Sequence, residues 1–464
     1  MIVPAGAAAT LARPVSTRVA VLAAHGGHAG GAAIAMERMV SGMRRCGAIV
    51  DVVTRAAVGT GRLPGERRVR RIVTRSRTAA SNTLFTLDWP TWDVLAHPAV
   101  AAADVVNVHW VAGFLGAESI RRIVTAGKPV LWTMHDMRPF TGGCHYASGC
   151  EGFTTGCGSC PQVDESIHDA PRRAAAAARR RLGGVPITFV APSRWLAGEL
   201  LRSSLHDPEA HAVAVVPNGL DLDRHTPAPD KAAARRRLSL PERGLGILIG
   251  SVSLDERRKG GREAAAALAA LAAWTAADPP PFVVTYGAAA PAIDGLVTRH
   301  LGPCDEAGVI AALHASDVHL TMTREDNLPN TVIEAMACGV PVLGTAVGGL
   351  PEMITDGLDG WLVPRDDAAA AAGILVRLAA DPAAAPAAGR EARRRAVADW
   401  DDRRAAMRYL DLAAALVRAG AAREATGGVH VLRPSAAVAG LIGRRIPFRS
   451  PRRPPWSSRR EEAA

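Results

Sequence analysis

The chain has 464 residues, a formal net charge of +11 and 48% hydrophobic residues, of which few are aromatic. This length is long for one domain and sufficient for two domains of about 200 residues each. No apolar run reaches the roughly 18 residues that span a membrane, and residues 1–15 lack the pattern of a secretory signal. We therefore expect a cytoplasmic protein with reduced thiols. The positive charge predicts an acidic partner such as nucleotide phosphate, anionic lipid or nucleic acid.

The first half of the chain contains short, mostly apolar runs of the kind that form buried parallel strands. We predict strands at Arg18–Ala24, Val50–Thr54, Arg71–Thr74, Val105–Val108, Val130–Met134 and Val213–Val216. The first of these leads into a glycine-rich loop that opens a helix. Gly30 and Gly31 would let the backbone approach a phosphate closely. A plain tight turn is the alternative, because the spacing does not fit the GxGxxG pattern.

An arginine-rich stretch from Arg62 to Arg77 carries seven arginines against one glutamate. It is either a solvated face or a contact with anionic lipid headgroups, to which each basic residue contributes about 1 kcal/mol. No aromatic residues are interleaved with these arginines, which argues against single-stranded nucleic acid as the partner.

Two histidines, His109 and His135, each follow a predicted strand. Histidines at the carboxyl ends of parallel strands could line a cleft, whereas a lone histidine is more often a structural hydrogen-bonding residue.

A cysteine-rich segment, residues 140–162, comes directly after His135 and contains Cys144, Cys150, Cys157 and Cys160. The closing C-x-x-C pair suits a tetrahedral metal, so a structural zinc ion is one interpretation. Reduced thiols and disulfides are the alternatives, and disulfides are disfavoured in a reducing compartment. Four thiolates would fill every position of a zinc ion, so we do not expect a catalytic metal here.

In the second half, a predicted strand at Gly246–Val252 is followed by Arg257, Arg258 and Lys259. Cations beyond the end of a strand would neutralise a bound diphosphate without a metal, and a basic loop with no ligand is the alternative. Further strands are predicted at Phe282–Tyr286, Val318–Met322 and Pro341–Thr345.

The loop after Val318–Met322 contains acidic residues and leads into a helix. Pro329 and Asn330 suit the start of that helix, Ala337 its end, and Gly339 its stop. The free N–H groups at the start of a helix favour phosphate, while an acidic side chain nearby would bind hydroxyls instead. Phosphate and sugar hydroxyls together describe a nucleotide sugar. A polar loop without a ligand is the alternative.

The stretch EDNLPNTVIEAMACGVPVLGTAVGGLPEMI, residues 325–354, resembles the donor-site signature of glycosyltransferase family 4. Two acids with seven residues between them mark that family, and Asp326 and Glu334 have this spacing. The first acid is more often Glu in the family, but Glu325 is one residue too far. The resemblance implies that Glu334 holds the ribose hydroxyls and Asp326 contacts the transferred sugar. The donor loop between these two acids includes Asn327, Leu328, Pro329 and Asn330.

The resemblance also implies roles elsewhere in the chain. His135 would contact the donor sugar near its reacting end and act in catalysis with Asp326 and Lys259. Gly30 and Gly31 would face the donor diphosphate, which Arg258 and Lys259 would bind. The family's usual arginine six residues before the lysine is Ser253 here, so Arg258 would take its place. The cysteine-rich segment resembles a subset of the family found in bacterial surface-polysaccharide synthesis.

The implied α/β fold is GT-B: two Rossmann-like domains face each other across a cleft, and a C-terminal helix returns to the first domain. We predict an acceptor-side domain at residues 1–216 with the cysteine-rich segment inserted. A nucleotide-sugar-binding domain at 217–393, a returning helix at 394–419 and a basic, disordered tail at 420–464 follow.

The sequence thus predicts a retaining glycosyltransferase that uses a nucleotide diphosphate sugar and a lipid-linked or glycan acceptor in surface-polysaccharide synthesis. No cofactor is expected for catalysis, nucleic acid is not an expected partner, and the location would be the cytoplasm or the inner face of the membrane. One alternative is a GT-B protein that binds nucleotide sugars without transferring them. A zinc-containing nucleic-acid binder is a weaker alternative, because the donor signature is nearly complete.

Overall fold

A computed structural model describes residues 17–426, apart from 27–29, 60–63, 89–91, 251–255, 275–277 and 289–292. Two parallel sheets of six strands each organise these residues. The first has the strand order β2-β1-β3-β4-β5-β6. Its strands are β1 (Arg18–Ala23), β2 (Ile49–Thr54), β3 (Val105–Val108), β4 (Val130–Thr133), β5 (Ile187–Ala191) and β6 (His211–Val215).

The second sheet has the order β12-β11-β10-β7-β8-β9. Its strands are β7 (Gly246–Gly250), β8 (Phe282–Tyr286), β9 (Val297–His300), β10 (Val318–Thr321), β11 (Val342–Thr345) and β12 (Gly360–Val363). In both sheets the order reverses beside the first strand, and the crevice at such a switch point is where open α/β sheets bind ligands.

Helices connect and cover the strands. The α-helices are α1 (Gly31–Arg45), α2 (Arg55–Val58), α3 (Glu66–Arg75), α4 (Pro98–Ala102), α5 (Ala117–Thr125), α6 (Ala170–Leu182), α7 (Arg194–Arg202), α8 (Lys231–Arg237), α9 (Gly261–Ala273), α10 (Glu306–His314), α11 (Asn330–Ala337), α12 (Leu350–Met353), α13 (Ala368–Ala380), α14 (Ala384–Asp399) and α15 (Asp402–Thr426).

The central strands of each sheet are buried on both faces, as their apolar residues predict. Along β1, Val19 and Val21 pack into one hydrophobic core, while Ala20 and Leu22 pack into the core on the opposite face. The same alternation divides β7 between two cores of the second sheet. The four layers of side chains follow directly from the two-residue period of a strand.

The stretch predicted as one returning helix at residues 394–419 belongs to two helices instead, because the chain breaks at Trp400. There the Trp400 carbonyl accepts the Leu220 N–H at 2.8 Å, and the Asp402 N–H donates to the Leu220 carbonyl at 3.2 Å. The two chain crossings between the sheets are therefore hydrogen-bonded to each other. Beyond the break, α15 packs against α1 through a shared core that includes Tyr409 and Leu412.

Two further expectations are corrected. The strand predicted at Arg71–Thr74 is part of α3, because Val69 and Val73, four residues apart, face one small apolar cluster around Phe85 and Val163. The disordered tail predicted from residue 420 is wrong for its first residues, because α15 continues to Thr426; residues 427–464 lie outside the described part of the chain.

Among the described residues, no single helix has both the length and the hydropathy of a membrane span. One bent pair, α13 with α14, meets both criteria together, with an angle of 108° between the two helices.

Candidate active site

The carboxyl ends of the two sheets face each other, and the predicted site residues lie in the loops between them. His135 follows β4, Lys259 lies in the loop after β7, and Asp326 follows β10. The loops meet directly, because the Asn327 side-chain amide donates to the His135 carbonyl at 3.3 Å. The Ser193 hydroxyl, at the start of α7, donates to the Asn327 side-chain oxygen at 2.5 Å. The structure therefore brings the predicted donor loop and His135 into one cleft.

Asp326 is the electrostatic centre of this cleft. Its Oδ2 atom lies 2.9 Å from Lys259 Nζ and 2.9 Å from Arg258 Nη1. The residue is 6% exposed. Burial acts to raise the pKa of Asp326, but Lys259 and Arg258 outweigh it and hold that pKa below its usual range. Asp326 is therefore ionised and shares its charge with two cations.

A glycine pair fixes the position of the Asp326 loop. A Cβ atom on Gly348 would lie 1.8 Å from the Asp326 carbonyl oxygen, and one on Gly349 would lie 1.8 Å from the Asn327 carbonyl oxygen. Gly348 also has a positive φ of 55°. No side chain fits in either space, so the backbone of this loop lies directly against the turn after β11.

Glu334 lies one turn into α11 and faces the opposite sheet. Arg38 of α1 donates to Glu334 Oε1 at 2.7 Å, and it also lies 3.7 Å from Glu306. At the start of α11, the Asn330 side-chain amide donates to the Gly31 carbonyl at 2.9 Å. Glu334 is thus ion-paired across the cleft at the position predicted for the ribose.

The other predicted members of the donor loop are packed around these contacts. Leu328 is buried, and Pro329 forms the N-cap position of α11. On the other side of the cleft, Gly30 caps α1 with a φ of 116°, and residues 27–29 of the loop before it lie outside the described part of the chain. Ser253 also lies outside the described residues.

His135 pairs with His109 rather than with a carboxylate. His109 Nδ1 and His135 Nε2 are 2.9 Å apart. Burial lowers the pKa of His135 to about 4, and burial followed by the neighbouring His135 lowers the pKa of His109 well below its usual value. Both rings are therefore neutral near pH 7, and His135 can act as a neutral hydrogen-bonding group beside the cleft.

Glu325 has a different environment from Asp326. Its Oε2 atom accepts the Ser148 N–H at 2.8 Å and the Asn82 side-chain amide at 3.3 Å. Burial raises the pKa of Glu325, with those hydrogen bonds acting in the opposite direction. Of the two adjacent acids, Asp326 holds the cations, while Glu325 binds the cysteine-rich segment.

The four cysteines of the cysteine-rich segment are free thiols that line one cavity. Cys157 Sγ accepts the Gly142 N–H at 3.2 Å, and Cys150 Sγ accepts the Gly152 N–H at 3.3 Å. Burial raises the pKa of Cys157 to about 11. As these side chains stand, no group of three or more His, Cys, Asp or Glu residues within the described ranges is placed to hold a metal ion.

Sequence reasoning missed three polar contributors to the cleft, namely Arg38, Asn82 and Tyr146. Tyr146 donates from its hydroxyl to Asp326 Oδ1 at 3.4 Å, and the Arg258 guanidinium carbon lies 4.4 Å from the centre of its ring. Tyr146 follows His145 in the cysteine-rich segment, and the role that the sequence predicts for this segment depends on its cysteines alone. The sequence gives one weak indication of Arg38, which is a charged residue among the methionines of α1.

Two facing parallel sheets, with the site between their carboxyl ends, define a GT-B fold, as predicted. Solved structures support this class. Sucrose-phosphate synthase from Thermosynechococcus elongatus superposes with a TM-score of 0.61 at 19% identity, covering 87% of this chain and 100% of that one. HepE of Anabaena, crystallised with UDP and glucose, superposes with a TM-score of 0.57 at 14% identity, covering 86% and 99%.

Family comparisons narrow the class further. Residues 29–224 match the family described as Glycosyltransferase Family 4, and residues 255–381 match Glycosyl transferases group 1. The chain is 30% identical over 316 residues to the D-inositol 3-phosphate glycosyltransferase of Streptomyces avermitilis, covering 64% of this chain and 62% of that protein.

It is also 27% identical over 262 residues to the glycosyl transferase WcaC of Escherichia coli, whose name assigns it to colanic acid biosynthesis, covering 54% of this chain and 60% of WcaC. The matches thus span about three fifths of the length of these two relatives.

Proposed function

We propose that this chain is a retaining glycosyltransferase that moves a sugar from a nucleotide diphosphate sugar to a lipid-linked glycan acceptor in surface-polysaccharide synthesis. The observation that carries this proposal is the buried Asp326 paired with Arg258 and Lys259 at the carboxyl edge of the second sheet. Both family matches and the complex of the related fold with UDP and glucose support a nucleotide-sugar donor.

The donor diphosphate would bind Arg258 and Lys259 in place of Asp326. Without donor, Arg258 and Lys259 neutralise Asp326; with donor, they would stabilise the negative charge that develops on the leaving diphosphate. Asp326 would then be free to accept hydrogen bonds from hydroxyls of the transferred sugar.

The ribose would compete with Arg38 for Glu334. Glu334 is held by Arg38 at 2.7 Å, and Glu306 lies close enough to Arg38 to remain its partner once the ribose hydroxyls bind Glu334. Donor binding is therefore coupled to a contact between α1 and α11, one from each side of the cleft.

In the transfer step, the bond between the anomeric carbon and the phosphate oxygen breaks, and its electron pair leaves with the diphosphate. The acceptor hydroxyl attacks from the same face and forms the new glycosidic bond, and its proton passes to the departing phosphate oxygen. This course needs no strong protein base, which suits a cleft whose histidines are neutral. Closure of the two sheets over the donor would exclude water and suppress hydrolysis.

The acceptor side of the proposal rests on α3, a helix within the arginine-rich stretch. Arg67, Arg68, Arg70, Arg71 and Arg75 are exposed and form no ion pair within the described residues. We propose that α3 contacts anionic lipid headgroups and so brings the cleft to a membrane-embedded acceptor.

The test begins with thermal shift assays against UDP-, GDP- and dTDP-sugars, because a ligand that binds only the folded state raises its stability. Turnover of the stabilising donor is then measured in Lys259→Ala, with Arg262→Ala, an exposed arginine of the adjacent helix α9, as the matched control. We expect Lys259→Ala to lose roughly 10²–10³ in rate, as for one preorganised contact to a developing anion. Near-normal turnover in this variant would refute the assignment. Binding without turnover in the wild type would indicate a non-catalytic protein.

A further inference from the structure

The cysteine-rich segment crosses the cleft at a single turn, Tyr146–Ser148. The Ser148 N–H donates to Glu325 Oε2 at 2.8 Å, and the Ala147 N–H also donates to this carboxylate. Glu325 comes from the loop after β10 of the second sheet, whereas the turn follows β4 of the first. One carboxylate therefore docks the segment onto the opposite side of the cleft.

The turn is also anchored on its own side. His145 Nδ1 lies 2.6 Å from Asp136 Oδ2, and its Nε2 lies 3.0 Å from the Thr86 hydroxyl. The Gln162 side-chain amide donates to the Tyr146 carbonyl at 2.7 Å. These buried contacts fix the backbone on either side of the Tyr146 ring, so the ring cannot move independently of the segment.

The Tyr146 side chain contacts Asp326 and Arg258, two residues of the proposed donor site. Its hydroxyl faces Asp326 Oδ1, the oxygen that also accepts the Asn327 N–H at 3.0 Å. Its ring lies against the Arg258 guanidinium and stacks near Trp195, with 11° between the ring planes. The two carboxylate oxygens of Asp326 thus have different partners. Oδ2 contacts Arg258 and Lys259, whereas Oδ1 accepts hydrogen bonds from the Tyr146 hydroxyl and the backbone of the loop.

We propose that Tyr146 is a positioning residue for Asp326 and Arg258, and that Glu325 docks the cysteine-rich segment so that Tyr146 reaches them. When a diphosphate draws Arg258 and Lys259 away from Oδ2, the hydroxyl on Oδ1 keeps the carboxylate turned toward the transferred sugar. The ring limits the positions that the Arg258 guanidinium can take. The site is therefore complete only when the segment of the first sheet is docked on the loop of the second. This inference rests on the proposed function for its catalytic consequence, but not for the docking itself.

The catalytic consequence is tested with Tyr146→Phe, which keeps the ring and removes the hydroxyl. The matched control is Ser316→Ala, which removes a buried hydroxyl that donates to the Ala312 carbonyl just before β10, at the amino edge of the second sheet. We expect Tyr146→Phe to lower kcat about 10- to 100-fold, the effect of a hydrogen bond to a charged group. The dissociation constant of the nucleoside diphosphate that stabilises the wild type should change less than about threefold, because the ring stays on Arg258. A wild-type kcat in Tyr146→Phe, or an equal loss in Ser316→Ala, would overturn the proposal.

The docking is tested without turnover, by amide hydrogen exchange. Glu325→Ala should speed exchange in peptides that contain Ala147 and Ser148, and Tyr146→Phe should speed exchange at Asn327, whose N–H shares Oδ1 of Asp326. Arg262→Ala should change neither region. Unchanged exchange at both regions would overturn the inference even if the chain proves to be a transferase. If no nucleotide binds, the proposed function fails, and the exchange data still decide whether the segment is docked.

Discussion

Asp326 and Glu325 show how neighbouring residues of the same chemical type acquire different roles. The two adjacent side chains point in different directions, so the carboxylate of Asp326 meets Lys259 and Arg258 while that of Glu325 meets the backbone of Ser148. The eight-residue spacing to Glu334 predicted that Asp326, rather than Glu325, is the first acid of the motif. The cation contacts favour the same assignment, and its role in catalysis remains a proposal.

Glu334→Gln provides a test at the scale of one residue. The substitution keeps the shape of the side chain but removes the charge that would bind the ribose hydroxyls. Hydrogen bonds to charged groups contribute about 1.5–3 kcal/mol, so we expect roughly 10- to 150-fold weaker donor binding, measured by calorimetry. Part of the loss is offset, because the donor no longer has to displace Arg38 from an ion pair.

The control for this variant is Glu391→Gln, which removes the partner of Arg394 on the surface of α14. Exposed ion pairs contribute about 0–1 kcal/mol, so donor affinity should be unaffected by the control. Donor affinity in Glu334→Gln equal to that of the wild type would separate α11 from the ribose site.

At the scale of elements, α3 is the clearest difference between the sequence prediction and the structure. The four residues Arg71–Thr74 were predicted as a strand, but a short run of apolar and basic residues has no clear period. The helix forms because Val69 and Val73 share one face against Phe85, a contact with residues that sequence periodicity does not report. The resulting helix presents its arginines together on the opposite side.

We predict that α3 binds anionic membranes by charge. The protein should sediment with phosphatidylglycerol-rich vesicles at low salt and dissociate as ionic strength rises, since exposed charges are screened within about 8 Å at physiological salt. Arg67→Gln/Arg71→Gln should weaken vesicle binding about 30-fold, because each basic residue contributes about 1 kcal/mol. Arg179→Gln/Arg180→Gln on α6, an exposed pair elsewhere, is the control. Equal binding to neutral vesicles would point to an apolar contact instead.

The cysteine-rich segment gives a second prediction at this scale. Backbone N–H groups donate to the sulfur atoms of Cys150 and Cys157, and hydrogen bonds of this kind orient the ligands of a metal ion. Zinc binding therefore remains our prediction, although it requires the cysteine side chains to rotate toward the cavity that they line. Protein purified without added metal should contain about one zinc per chain, and Cys157→Ser/Cys160→Ser should contain none.

The exposed Cys46 supplies the control, because Cys46→Ser should keep the metal. Four freely titrating thiols in metal-free wild-type protein would instead show that the cysteines are reduced residues of a packed turn. Thiols that titrate only after reduction would indicate disulfides.

At the scale of the whole molecule, the local signals were sufficient for most of the architecture. The predicted strand at Phe282–Tyr286 and the predicted end of α11 at Ala337 agree with the structure, because apolar runs, proline and glycine act within a few residues. Contacts across the cleft could not be found in this way. Arg38 and Glu334 are separated by 296 positions, and nothing in the sequence near either residue indicates the other.

The break at Trp400 has the same explanation. Residues on both sides of it suit a helix, but the Trp400 carbonyl instead accepts the Leu220 N–H, where the chain first crosses between the sheets. A hydrogen bond to a residue 180 positions earlier in the chain thus interrupts a sequence that would otherwise continue as a helix. Periodicity alone does not detect such a contact.

The packing of α15 on α1 has a consequence for the order in which the protein is made. The chain leaves the first sheet after β6 and returns only at Asp402, so the second sheet is inserted within the first folding unit. The core around Met36 and Met43 of α1 is complete only when Tyr409 and Leu412 of α15 pack against it. About 360 residues separate these two helices, so at about 5–20 residues per second the ribosome takes roughly 20–70 s to supply the missing face. Among the described residues, the final helix thus completes the unit that β1 and α1 begin, and during that interval the apolar side of α1 is open to chaperones.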